Sequence, residues 1–257
     1  MRNALKAFEA FLGTLDLRGY EEKYRSIKTV EQDLPSDLNP LPDLYRDYWK
    51  PTHPNPSFPS YEDFFATWWN QRLEALDRFI QKYFWGCSYQ FVRLGLEARL
   101  YRTAISIWTQ FHFGYRWLTS CSLSIDASPE LDLKGVDILV RLPPGTSIGL
   151  QVKKETYRSE ARGENRFLKQ KRAHALLEVP YTLETEAELL KRAERARSRG
   201  ELYRLWAKVA SHLEHLPNGF VIFKESYVLC IEDFLQKNHH ALSGHIPWEQ
   251  VAREALA

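Results

Sequence analysis

Residues 129–157 read PELDLKGVDILVRLPPGTSIGLQVKKETY. Two short apolar runs, GVDILVRL at 135–142 and SIGLQVKKETY at 147–157, flank a segment of proline and glycine. Successive side chains of a strand point to opposite faces. In the first run Val136, Ile138 and Val140 therefore share one face and Asp137 takes the other. In the second, Leu150 and Val152 face the core while Gln151 and Lys153 share the opposite side. A turn at RLPPGTS that pairs the two strands brings Asp137, Gln151 and Lys153 together at one end. CSLSIDA (121–127) supplies a further run upstream, and the three predict a meander.

Outward from this sheet the texture is helical. MRNALKAFEAFLGTL opens the chain as an amphipathic helix and not as a signal peptide. Seven prolines (Pro35, Pro40, Pro42, Pro51, Pro54, Pro56, Pro59) make 35–59 a loop without regular helix or central strand. A long helix is predicted from Ser60, its cap, with Asp63 at the third helical position and Gly86 at its end. A second covers about 88–112. Downstream, charged helical segments are expected at about 158–177 and 186–216, and a turn at PNG (217–219). FVIFKESYVLCI then supplies one or two strands and EDFLQKN a closing helix. The whole predicts an α/β fold with one mixed central sheet flanked by helices. Residues 1–257 are read as a single domain, 1–87 a mainly helical elaboration and 88–257 the core.

Composition narrows the function. The chain has 257 residues, 44% hydrophobic and 14% aromatic, which suits a substantial core and argues against disorder. Its three cysteines (Cys87, Cys121, Cys230) are far apart and in no Cys-x-x-Cys spacing, which disfavours a disulfide framework or structural zinc and fits a reducing cytoplasm. No apolar run approaches the ~18 residues of a membrane span. One methionine and three cysteines suit a thermophilic source. Net charge is only +2, yet Lys153, Lys154, Arg158, Arg162, Arg166, Lys169, Lys171 and Arg172 crowd one stretch, a local field that attracts polyanions. There is no phosphate-cradling glycine loop. His239, His240 and His245 lack the frame of an HNH-type site and read as surface histidines.

A carboxylate, an amide oxygen and an ammonium on one face suit metal-assisted phosphodiester hydrolysis. Mg²⁺ takes hard oxygen ligands. Asp137 would anchor it, Gln151 could offer its side-chain oxygen and Val152 its backbone carbonyl. Lys153 would orient or deprotonate the attacking water and offset developing negative charge. Asp132, five residues before Asp137, is a further metal candidate. So is Glu97, a carboxylate in an otherwise apolar helix, for which a salt bridge to Arg93 or Arg99 is the plainer account. Lys154, Arg158, Arg162, Asn165, Arg166 and Lys169 are the candidate DNA contacts. An Asp followed by Glu/Asp-x-Lys on a neighbouring apolar strand is the signature of PD-(D/E)XK nucleases. Here Val136 stands for the proline and Gln151 for the second acid.

Longer words carry a closer likeness: KYRSIKTVEQDLP, LNPLPDLY, RFIQKYFWGCSY, FVRLGLEARLYRTA, SIWTQFHF, QVKKETYRSE, ENRFL, YRLWAKVA and FLQKN. On these, over nearly its whole length, the chain resembles the TaqI family of type II restriction endonucleases, a variant of the PD-(D/E)XK superfamily. The resemblance implies Mg²⁺-dependent double-strand cleavage of DNA at the palindrome TCGA by a homodimer. It also implies a cognate DNA methyltransferase as functional partner. It matches the catalytic acids to Asp132 and Asp137 in PELDLKGVD and the lysine to Lys153 in QVKK, with glutamine at 151 usual for the family. The alternatives are a DNA-binding relative without cleavage, or a repair-type nuclease on the same scaffold.

Overall fold

The computed structural model describes residues 1–27, 30, 32–143, 145–155 and 175–256. The chain forms two compact units. The first comprises Met1–Phe111 with Pro217–Phe220, the second His112–Leu216 with Val221–Ala257.

The first unit is helical: α1 (Arg2–Gly13), α2 (Leu17–Tyr24), a 3₁₀ turn (Ser36–Leu38), α3 (Leu41–Tyr48), α4 (Tyr61–Asn70), α5 (Leu73–Tyr83) and the first part of α6 (Tyr89–Ser120). In α1 the buried residues Ala4, Leu5, Phe8, Phe11 and Leu12 recur at three and four, one face of a helix. Aromatic edges fill the interior: Phe11 meets Trp108 at 5.2 Å and 85°, and Tyr48 meets Trp108 at 5.1 Å and 65°.

Two expectations need correction in this unit. The proline-rich stretch does hold a helix, because Pro40 caps α3 and Pro42 falls in its first turn, where the backbone N–H has no intrahelical partner to lose. The long helix from Ser60 is in fact two. Its start is as predicted, the Asp63 N–H donating to Ser60 Oγ at 3.1 Å. It breaks at Gln71 and Arg72. There the Arg72 guanidinium donates to the Asp43 carboxylate, the Asp37 carbonyl (3.1 Å) and the Trp68 carbonyl (3.3 Å), ties outside the local sequence pattern.

The second unit carries the sheet. In order come β1 (Ile125–Asp126), α7 (Pro129–Leu133), β2 (Ile138–Leu142), β3 (Thr146–Lys154), β4 (Ala175–Tyr181), α8 (Glu186–Arg195), α9 (Gly200–Ser211), β5 (Leu213–His215), β6 (Val221–Phe223), α10 (Glu225–Asn238), β7 (His245–Ile246) and α11 (Trp248–Glu254). Among the described residues five strands form a mixed sheet in the order β1-β2-β3-β4-β7, and β5 pairs with β6. The β1–β2 and β2–β3 pairs are antiparallel, the predicted meander, while β3–β4 and β4–β7 are parallel. One sheet face buries Ile138, Val140, Leu150, Val152, Leu177 and Val179 in a core shared with Phe223, Tyr227 and Ile231.

Here too the helical expectations are trimmed. Residues 175–177 are strand, and the rest of the expected 158–177 helix, residues 158–174, lies outside the described residues. The 186–216 segment divides into α8, α9 and β5. FVIFKESYVLCI gives one short strand and then helix: beyond Lys224 the buried residues Tyr227, Val228, Ile231 and Leu235 recur at helical spacing. α6 continues past the predicted end at 112 to Ser120.

Candidate active site

The site grows from a short stretch of backbone. Ser128 Oγ caps α7, accepting from the Leu131 N–H at 3.3 Å. The helix ends in a double bond pattern: the Gly135 N–H donates to the Asp132 carbonyl (2.7 Å) and the Val136 N–H to the Leu131 carbonyl (3.0 Å). Gly135 takes φ 73°, the left-handed conformation that closes such a turn and that glycine adopts without penalty. Asp132 thus sits in the one-turn helix and Asp137 just before β2.

Asp137 is locked to β3 at both ends. Its N–H donates to the Leu150 carbonyl at 3.0 Å, and its Oδ2 accepts from the Val152 N–H at 2.7 Å. Val152, expected to offer its carbonyl, therefore meets Asp137 through its N–H. The register places Ile138 opposite Leu150 and Gln151 beside Glu178. Asp137, Gln151 and Lys153 consequently share the face opposite the core, as alternation required. Val136 departs from that alternation: it precedes the strand and packs over Gly149, where an added Cβ would meet its methyls at 3.1 Å and those of Leu176 at 3.1 Å.

Electrostatically the face is unbalanced at the acids. Asp137 is 5% exposed. Burial, with the Asp132 carboxylate beside it, pushes its carboxyl up to about 8, against the opposing pull of the Val152 N–H and the Lys153 ammonium. Gln151 Oε1 is buried and accepts no hydrogen bond among the described residues.

Two residues that sequence patterning passed over complete the face. Glu178 on β4 is 5% exposed and pairs with the Lys153 ammonium. Its Oε1 also meets His245 Nε2 at 2.8 Å, and its Oε2 accepts from the Trp248 N–H at 3.1 Å. Burial raises a carboxyl in such a place, but the Lys153 ammonium, the Trp248 N–H and His245 outweigh it and hold Glu178 below its ordinary value. His245, read from sequence as a surface histidine, thus lies on the same face. An acid within the apolar run ALLEVPY was the signal for Glu178.

The remaining candidates are placed as follows. Lys154 ends β3 and is exposed. Arg158, Arg162, Asn165, Arg166 and Lys169 lie outside the described residues. Glu97 belongs to the helical unit, where its Oε1 accepts from Lys23 Nζ at 2.6 Å and from the Tyr24 hydroxyl at 2.8 Å; these, and not Arg93 or Arg99, are its partners. Among the described residues no three His, Cys, Asp or Glu side chains are grouped to hold a metal ion. The oxygen donors the face does offer are the two aspartates and the Gln151 amide.

A mixed five-stranded sheet flanked by helices is consistent with a restriction-endonuclease-like core. The family model of the TaqI restriction endonuclease matches residues 5–235. The chain is 65% identical over 255 residues to the type II restriction enzyme TaqI of Thermus aquaticus, covering 99% of this chain and 97% of that protein. It is 63% identical, with the same coverage, to the type II restriction enzyme TthHB8I of Thermus thermophilus. No solved structure matches the chain. The chain belongs to the TaqI restriction endonuclease family. Among the described residues no helix is long and apolar enough to cross a membrane.

Proposed function

We propose that the protein makes Mg²⁺-dependent double-strand cuts in DNA at TCGA. The observation that carries this is Asp137 with Gln151 and Lys153 on one sheet face and Asp132 close to Asp137 at the end of α7, in a chain 65% identical to TaqI. The donor set fits a hard divalent cation. Asp137 and Asp132 would hold it through carboxylate oxygens, and the buried Gln151 Oε1 would gain the partner it lacks among the described residues. Bound there, Mg²⁺ supplies Lewis-acid polarisation of the phosphate and acidifies water.

The chain's own groups do the rest. Asp137, fixed by the Val152 N–H, presents its carboxylate in one orientation. Lys153 orients the attacking water and offsets the negative charge that builds on the phosphoryl oxygens as one P–O bond forms and another breaks. Lys154 and the basic residues Arg158, Arg162, Arg166 and Lys169 would supply contacts to the DNA phosphates. A palindrome asks for two such sites related by a two-fold axis, hence a homodimer on DNA, with a cognate methyltransferase protecting host sites.

Digestion of a sequenced plasmid tests this. The expected fragments end at TCGA and vanish in EDTA; cutting elsewhere, or cutting that persists in EDTA, refutes it. Sedimentation with a short TCGA duplex should give two protomers per duplex.

A further inference from the structure

Glu178 has no part in the chemistry above, yet its carboxylate is firmly held. Three elements converge on its carboxylate: Lys153 from β3, His245 from β7 and the Trp248 backbone N–H at the start of α11. We propose that Glu178 is a positioning residue for Lys153, fixing the ammonium on the acid-bearing face before DNA arrives. This rests on the reading of Lys153 as the cationic group of a phosphodiester-cleaving site.

The geometry supplies the reasons. Glu178 stands in register with Gln151 on a parallel ladder of seven residue pairs, so its backbone is set relative to β3. Its Oε2 is taken by a backbone donor, which no side-chain rotation can withdraw. Trp248, which provides that donor, stacks on Trp206 with ring centroids 4.0 Å apart and planes at 23°. The anchor is therefore rigid on the side away from Lys153. A lysine has a long, flexible stem, and a third of the Lys153 side chain is exposed (33%), so without a partner its ammonium would sample many positions. With both carboxylate oxygens engaged, Glu178 is disposed to hold a cationic side chain and not a metal ion. A fixed ammonium is worth more to a developing phosphate charge than a mobile one, because no reorganisation is needed at the moment of reaction.

Single-turnover cleavage of a TCGA duplex, with enzyme in excess and Mg²⁺ present, tests the assignment, since its rate constant reports folded, DNA-bound molecules. Glu178→Gln should lower that constant on the order of 10–100-fold, the usual effect of removing an orienting partner, with duplex Kd changed by less than about threefold. In a Lys153→Met background the same change should cost little more, because the two act as one unit. Should the amide variant fail to fold, Glu178→Asp keeps the charge and withdraws it by one methylene, and should still lose more than about threefold. A Glu178→Gln or Glu178→Asp enzyme at the wild-type rate overturns the inference, as does an equal further loss in the Lys153→Met background. A fully active Lys153→Met enzyme would instead overturn the underlying reading of the site.

Discussion

Asp43 in the helical unit and Asp137 in the sheet unit are buried in opposite ways. In the helical unit Asp43 is buried and answered on both oxygens, by Arg46 Nη1 at 2.6 Å and by Arg72. Glu97 has Lys23 and Tyr24. In the sheet unit Asp137 is as buried as Asp43 but faces a second acid, and its carboxyl is pushed up to about 8. The contrast separates acids that hold a fold together from acids kept under strain. Asp43 is matched by cations, whereas Asp137 is set beside another carboxylate, the kind of perturbed group that marks a candidate functional site.

The sharpest way to break that contrast is Asp137→Asn. Cleavage should fall on the order of a thousandfold or more, the scale lost when one group stabilising charge at a reacting centre is removed. Stability should move the other way. The folded carboxyl titrates near 8 and the unfolded one at its ordinary 3.8, so in EDTA the wild-type protein is favoured fully below the lower value and loses that advantage as pH rises through the upper. Melting curves should show the asparagine variant gaining on wild type from acid to pH 8, and parallel curves would mean Asp137 is already compensated.

Asp43→Ala should do the reverse. It leaves Arg72 without its carboxylate, while Arg46 keeps Asp47, and should cost about 3–5 kcal/mol, read as a lower Tm, while the single-turnover rate constant of folded enzyme stays within about twofold. A selective loss of rate would blur the division of labour.

The smallest effect lies between the two kinds of residue. Gly149→Ala pushes a methyl against Val136 and Leu176 and should cost about 1–3 kcal/mol. Because Val136 precedes Asp137, the rate constant should fall as well. Loss of stability alone would show that Asp137 is held by β3 and not by its neighbour.

Much of this was legible in the chain. Period-two alternation sets Asp137, Gln151 and Lys153 on one face because β2 and β3 each bury a single apolar row. β4 hid Glu178 for the opposite reason: a strand flanked on both sides buries nearly every residue and shows no alternation. β7 has two residues, too few for any pattern, so His245 could be placed only by its partners. At the break Arg72 contacts Asp37 and Asp43, 35 and 29 positions away, a range that no local window spans.

The turn at Gly135 sets a rule for how this chain tolerates change in length. Its two backbone bonds close a ring of fixed size between Leu131 and Val136. An inserted or deleted residue there would rotate one aspartate away from the other, however well the side chains were preserved. The interval between the acids is thus a ruler cut in backbone.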